Sequence, residues 1–371
     1  MALRVIVAGG GTAGHVYPGL AVAEALRSRG HAVSFVGTQG GLEATLVPAA
    51  GIDFQILDAA PFARRSSVAA ARAAAIALRG TSRCRDVVQG ADVVIGMGGY
   101  VSVPAVLAAR LEHVPVVVHE QNAVPGLANR VLSRIARRIA TSFAEAIPLL
   151  PRHVRPRAVV TGNPVRREIV RIPEERDALA KEARREFELD DDRRTVLIFG
   201  GSQGAVHIDR AAAGACRLLR TRADLQILLI TGPAHLGAIR RGIPDDGSIL
   251  VRALGYVDRM DLAYACADLV VSRAGATTVA ELTVCGLPGL LVPYPYATGR
   301  HQEANARALQ RAGAATVVLD EHLSGEVLAV RIESLIDHDE RLRAMAERSA
   351  GLGRADAAGR VADLAIEVTD G

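Results

Sequence analysis

One structural unit is written twice in this chain. Ala91-Asp92-Val93-Val94-Ile95-Gly96-Met97-Gly98-Gly99, a helical stretch, and Val114-Pro115-Val116-Val117-Val118 are echoed by Ala267-Asp268-Leu269-Val270-Val271-Ser272-Arg273-Ala274-Gly275, a helical stretch, and Leu287-Pro288-Gly289-Leu290-Leu291. A buried strand, a glycine turn, a helix and a second buried strand make a βαβ crossover, so the echo commits both halves to parallel sheet. Each half also opens alike. Leu3–Val7 runs into Gly9-Gly10-Gly11-Thr12-Ala13-Gly14, and Thr195–Phe199 runs into Gly200-Gly201-Ser202-Gln203-Gly204.

Further strand-like runs at Ala32–Val36, Asp92–Ile95, Pro115–His119, Gln226–Thr231, Asp268–Ser272 and Gly289–Pro293 alternate with Ala-rich helical stretches such as Pro18–Ser28 and Val103–Arg110. The expected fold is α/β, with two tandem Rossmann-like doubly wound domains facing each other across a cleft. The apolar run Ala158–Val160 ends in Thr161-Gly162-Asn163-Pro164, which sets the expected domains at 1–163 and 164–352. The charged stretch Arg171–Arg194 reads as a solvated helix and loop. Its Asp190-Asp191-Asp192 lacks the companion ligands that a metal site needs, so no metal is expected.

A length of 371 residues, half of them apolar, suits two domains. Aromatics at 3 % and the absence of Trp exclude surfaces that work by ring stacking, single-strand nucleic-acid platforms among them. Cys84, Cys216, Cys266 and Cys285 form no C-x-x-C pair, and the first strand begins too early for a signal peptide, which points to a reducing cytoplasm. No apolar run is long enough for a bilayer-spanning helix. Charge divides unevenly: 1–163 carries 17 Arg and no Lys against nine acids, net +8, whereas 164–371 has 27 basic and 31 acidic residues, net −4. A basic first half suits an anionic partner, either nucleic acid or a phospholipid surface.

The glycine turns leave several chemistries open. Gly9, Gly11 and Gly14 satisfy G-x-G-x-x-G between a strand and a helix, yet the second strand ends Val36-Gly37-Thr38-Gln39, without the acid that a dinucleotide ribose requires. Gly200-x-Ser202-x-Gly204 matches a hydrolase nucleophile elbow, with His235 and His301 downstream, and equally suits a phosphate cradle at a helix N-terminus. His15 directly follows the first turn. It therefore lies at the carboxyl edge of the sheet, where it can act as a general base or ligand contact.

Taken together, Gly11-Thr12-Ala13-Gly14-His15-Val16-Tyr17-Pro18-Gly19, Gly98-Gly99-Tyr100-Val101-Ser102, His119-Glu120-Gln121-Asn122, Gly162-Asn163-Pro164-Val165-Arg166, Gly200 to Ala205, Ser272 to Glu281 and His301-Gln302-x-x-Asn305-Ala306 resemble the MurG family. These motifs occur in order from the first strand to beyond residue 310. That family comprises peripheral-membrane N-acetylglucosaminyltransferases that convert lipid I into lipid II for the cell wall. The resemblance implies a GT-B fold, with the lipid-linked acceptor on the first domain and UDP-N-acetylglucosamine on the second. It also implies that the C-terminal stretch from about 353 to 371 packs back on the first domain.

By the same resemblance, Glu281 takes the ribose hydroxyls, Val257 offers backbone to the uracil and Ser202 holds the pyrophosphate. Arg166, Ala276, Thr277, Thr278, Val279, Ala280 and Gln302 line the donor pocket, and Thr12, Ala13, Gly14 and Asn122 reach in from the first domain. A carboxylate is a good acceptor for two hydroxyls, and a helix N-terminus offsets a leaving diphosphate, so the roles fit the residue types. The family more often has Gly where this chain has Ala13, which adds a methyl where backbone approaches ligand. No cofactor is implied.

The implied reaction is an inverting attack by the 4-hydroxyl of the acceptor's N-acetylmuramoyl unit, with His15 as the first candidate for base and Glu120 as the second, or as the group that orients His15. The stretch from Ala59 to Arg85 holds Arg64, Arg65, Arg72, Arg79, Arg83 and Arg85 without an acid, interspersed with Phe62, Val68, Ile76 and Leu78. Such a segment suits the anionic inner leaflet better than nucleic acid, for which no binding motif is present. The expected place is thus the cytoplasmic face of the cell membrane, with cell-wall synthesis proteins as further partners. Another sugar-nucleotide enzyme on this fold, such as an epimerase or lipid glucosyltransferase, and a noncatalytic nucleotide-sugar module stay open.

Overall fold

The computed structural model describes residues 1–57, 79–201, 204–244 and 246–370. It divides into two compact units, Met1–Arg166 with Arg354–Gly371, and Arg167–Gly353, so the change of unit falls just beyond the expected 163.

Unit 1 carries β1 (Arg4–Ala8), α1 (Ala13–Ser28), β2 (Ala32–Gly37), α2 (Glu43–Ala49), β3 (Asp53–Ile56), a helix described over 79–88 (α3), β4 (Val93–Gly96), α4 (Ser102–Leu111), β5 (Val116–Glu120), α5 (Leu127–Leu132), β6 (Arg138–Thr141) and β7 (Ala158–Val160). Its seven strands are ordered β3-β2-β1-β4-β5-β6-β7, and every pairing is parallel. β4 and β5 are buried along their whole length, as strands covered on both faces must be, and this is why they read as unbroken apolar runs. One face packs on Val16, Val22 and Leu26 of α1, Val47 of α2, and Val361, Ala362 and Ala365 of the C-terminal helix (Ala357–Glu367). The other packs on Cys84 and Val88 of α3, Ala105, Val106 and Ala109 of α4, and Leu132 of α5.

Unit 2 carries α6 (Arg167–Val170), α7 (Ile172–Glu186), β8 (Arg194–Phe199), α8 (Val206–Leu218), β9 (Leu225–Ile230), α9 (Leu236–Arg240), β10 (Leu250–Leu254), α10 (Met260–Ala265), β11 (Leu269–Ser272), α11 (Ala276–Val284), β12 (Gly289–Leu291), α12 (His301–Arg311), β13 (Ala315–Val317), α13 (Gly325–Ile336) and α14 (Asp339–Leu352). The six parallel strands are ordered β10-β9-β8-β11-β12-β13. One face is covered by an aliphatic cluster that includes Ile208, Ala212 and Cys216 of α8, Leu328 and Ile332 of α13, and Leu342 and Met345 of α14.

Two local readings shift. The first helix begins at Ala13 rather than near Pro18, because Gly11 turns the chain at φ 79° and Thr12 is extended, so that Ala13, Gly14 and His15 already form the first helical turn. The stretch Arg171–Arg194 is less solvated than its charge suggests: Ile172, Leu179, Ala180 and Ala183 give α7 a buried stripe. All four cysteines are free and buried. Among the described residues no helix is long and apolar enough to cross a membrane.

Candidate active site

In a doubly wound sheet the crevice for ligands opens at the carboxyl ends of the strands where the order reverses. In unit 1 that point lies between β1 and β4, and the loops after β1, β4 and β5 converge there. His15, partly buried in the first turn of α1, has Nδ1 3.0 Å from Thr12 Oγ1. Its ring lies over the turn after β4. A Cβ on Gly98 would stand 3.3 Å from His15 Cδ2, and one on Gly99 3.2 Å from Nδ1. Both glycines are at positive φ, 86° and 74°, so absence of a side chain serves the turn and the ring at once. Tyr100 packs against Gly11, where a Cβ would come within 3.2 Å of its ring.

Glu120 ends β5 and is buried. One oxygen accepts from the Asn122 N–H at 2.9 Å and its amide at 3.3 Å; the other accepts from the Gly126 N–H and the Asn129 amide, both at 2.9 Å. Burial raises its pKa and these four bonds oppose the rise. This geometry shapes the loop that presents Asn122. His119, one residue earlier, is fully buried with Nε2 3.1 Å from the Gly162 carbonyl; burial lowers its pKa to about 4, with the Gly162 bond opposing and His15 adding to the shift. Arg166, the last residue of unit 1, stacks over the Tyr17 ring at 4.6 Å.

Unit 2 repeats the plan between β8 and β11. Ser202 falls outside the described residues, but Gly201 and Gly204, at φ 97° and 74°, flank it and lead into the N-terminus of α8. Ala276, Thr277, Thr278, Val279, Ala280 and Glu281 all lie on α11, which starts after Gly275 with no side-chain cap. Thr277 Oγ1 is buried and has no hydrogen-bond partner among the described residues. Glu281, 5 % exposed, accepts at Oε2 from the hydroxyl of buried Tyr264 at 2.9 Å. Val257 is buried in the turn after β10, and Gln302 on α12 accepts from the Tyr294 N–H at 2.9 Å. Burial raises the Asp209 carboxyl to about 6, opposed by His235, whose Nδ1 lies 3.2 Å away beside the Gly204 turn. Among the described residues no cluster of His, Cys, Asp or Glu could hold a metal ion.

Three residues went unnoticed in the sequence. Tyr264 holds Glu281, Asn129 holds Glu120, and the fully buried Glu43 accepts from the Gly11 N–H at 3.1 Å. The first two act from other elements and leave no local signature. Glu43 did leave one, an acid opening a helix with only Leu42 between it and the Gly40-Gly41 pair.

Two doubly wound sheets, each with a glycine loop at its point of reversal, are the architecture of the GT-B glycosyltransferases. Residues 5–141 match the glycosyltransferase family 28 N-terminal domain and residues 195–361 its C-terminal domain. A relative in Halothermothrix orenii, named UDP-N-acetylglucosamine--N-acetylmuramyl-(pentapeptide) pyrophosphoryl-undecaprenol N-acetylglucosamine transferase, is 42 % identical over 95 % of each chain. One of the same name in Mycobacterium avium is 43 % identical over 99 % of this chain and 89 % of its own. The crystal structure of Acinetobacter baumannii MurG superposes with a TM-score of 0.78 at 30 % identity, covering 98 % of this chain and 99 % of that one. The chain is therefore a glycosyltransferase of the GT-B fold, and it belongs to the MurG family.

Proposed function

We propose that the chain moves N-acetylglucosamine from UDP-N-acetylglucosamine to the 4-hydroxyl of N-acetylmuramoyl-pentapeptide pyrophosphoryl-undecaprenol, lipid I, giving lipid II with inversion at the anomeric carbon. The observation that carries this reading is the full-length likeness to enzymes named for that transfer. In this mechanism the acceptor hydroxyl meets His15 in the tautomer whose Nδ1–H donates to Thr12 Oγ1, which leaves Nε2 to take up the proton. Glu120 orients Asn122, and Thr12, Ala13 and Gly14 bring the helix N-terminus to the ligand.

The departing UDP is held by Ser202 and its glycine turn, by the Arg166 guanidinium and by the N-terminal turn of α11 from Ala276 to Ala280, with Gln302 beside the sugar. Glu281 takes the ribose and the Val257 backbone takes the uracil. The Tyr264 bond to one Glu281 oxygen limits how that carboxylate can meet both ribose hydroxyls, and it fixes the rotamer that presents the group. The acceptor is bound to a membrane, so the reading includes peripheral docking on the anionic inner leaflet, at the cytoplasmic face. Arg64, Arg65, Arg72, Phe62, Val68, Ile76 and Leu78 of the basic segment lie outside the described residues, while Arg79, Arg83 and Arg85 lie on α3.

The test is acceptor dependence. With UDP-N-acetylglucosamine alone the protein should release little UDP, and a lipid I analogue should raise release to match disaccharide formed. UDP release or sugar epimerisation that ignores the acceptor would refute the proposal.

A further inference from the structure

Glu43 opens α2 and is fully buried, with both carboxylate oxygens occupied. Oε1 accepts from the Thr38 N–H at 3.0 Å and the Thr38 hydroxyl at 2.7 Å, and Oε2 accepts from the Gly11 N–H at 3.1 Å. The cavity around it is made of glycine. A Cβ on Gly10 or Gly41 would collide with the carboxylate itself, and one on Gly37 would come within 2.5 Å of Glu43 Cγ. Burying a carboxylate is costly unless donors surround it, so this one is kept by a dedicated set of partners from the β1–α1 and β2–α2 loops.

What it holds is the loop on which His15 depends. Gly11 stands at φ 79°, Thr12 follows it as the residue before α1, and Thr12 Oγ1 meets His15 Nδ1 at 3.0 Å. In glycine loops that bind a diphosphate the amides point at the ligand. Here the Gly11 amide is turned inward to a carboxylate, whose charge also opposes an incoming diphosphate at that point.

We infer that Glu43 is a positioning residue for transfer: acting through the Gly11 amide, it fixes Thr12 and His15 for the acceptor hydroxyl and disfavours nucleotide diphosphate at this loop of unit 1. The inference rests on the transfer reaction proposed above. The missing acid at the end of β2, which argued against a dinucleotide, thus has a near neighbour after all, but one aimed at the loop rather than at a ribose.

Glu43→Gln keeps the volume and removes one acceptor, so an amide group must face a backbone or hydroxyl donor. At saturating UDP-N-acetylglucosamine, kcat for a lipid I analogue should fall about 10- to 100-fold, the scale of a small misplacement of a catalytic group. The donor KM should change less than kcat, since Glu281, Val257 and Gln302 of unit 2 keep their contacts. Exchange of the Gly11 amide with solvent, slow in the parent, should quicken. Thr38→Val, which removes one donor to Glu43 without touching Gly11, should keep kcat within about threefold.

Parental kcat in Glu43→Gln, or equal losses in both variants that follow a fall in Tm, would overturn the inference. Should Glu43→Gln not fold, Glu43→Asp, which retains the charge on a shorter arm, carries the same comparison. A parent protein that transfers nothing would refute the reaction instead, and the Gly11 exchange rate would still decide whether Glu43 anchors the loop.

Discussion

Replacing Glu281 by Ala should damage two properties at once, because the carboxylate has a structural partner as well as a proposed ligand. Tyr264 is 1 % exposed, its ring packs edge-on against Phe199 at 6.0 Å between centroids, and its hydroxyl donates to Glu281 at 2.9 Å. Taking away this buried acceptor costs roughly 1–3 kcal/mol, and a unit of this size loses about 2–4 °C of Tm per kcal/mol. A fall in Tm of roughly 5 °C is expected. If Glu281 takes the ribose as proposed, the same substitution should weaken UDP and donor about 10- to 100-fold through loss of a charge-assisted bond. Tyr264→Phe removes only the hydroxyl, so UDP affinity should drop about threefold through a looser Glu281 rotamer. The double variant Tyr264→Phe/Glu281→Ala should be more stable than Glu281→Ala alone, since no hydroxyl then loses its acceptor. Calorimetric UDP titration and thermal melts of the four proteins complete the cycle. Unchanged UDP affinity in Glu281→Ala would remove Glu281 from the donor site, and equal melting of the single and double variants would refute the role given to Tyr264.

Further outcomes follow from unit 1. The His119 pKa is lowered to about 4 from an ordinary 6.5, so its contribution to stability is present above pH 6.5 and is lost as the pH falls through about 4. The loss amounts to about 3 kcal/mol, and urea melts between pH 7 and 4 should show it shrink in His119→Asn. Gly99→Ala, at φ 74° with His15 Nδ1 3.2 Å from the new methyl, should lower kcat more than donor affinity; equal UDP affinity with parental kcat would contradict the seating of His15 on this turn. His15→Gln should cut kcat about 10²- to 10⁴-fold while calorimetric UDP affinity holds.

Central strands were legible because burial on both faces writes them as apolar runs: Val93–Gly96, Val116–Glu120 and Leu269–Ser272 stand within a residue of their sequence boundaries. Strands β3 and β6 were not. β3, at the sheet edge, reads Asp-Phe-Gln-Ile with both ends exposed, and β6, though buried except at Arg138, reads Arg-Ile-Ala-Thr, too short and mixed to stand out. Within the site, glycine loops and His15 announced themselves by local spacing. Of the residues that hold them, Asn129 and Tyr264 did not, because they reach their partners from other elements and a hydrogen bond across a fold leaves no period in the sequence, whereas Glu43 left only its place shortly after Gly40-Gly41.

The product settles the central claim most directly. With isotopically labelled UDP-N-acetylglucosamine and a lipid I analogue, the account predicts a disaccharide carrying N-acetylglucosamine β-linked to the 4-hydroxyl of the N-acetylmuramoyl unit, identified by NMR, with UDP formed in equal amount. An α-linkage, attachment at another hydroxyl, or no label in the lipid fraction would contradict it.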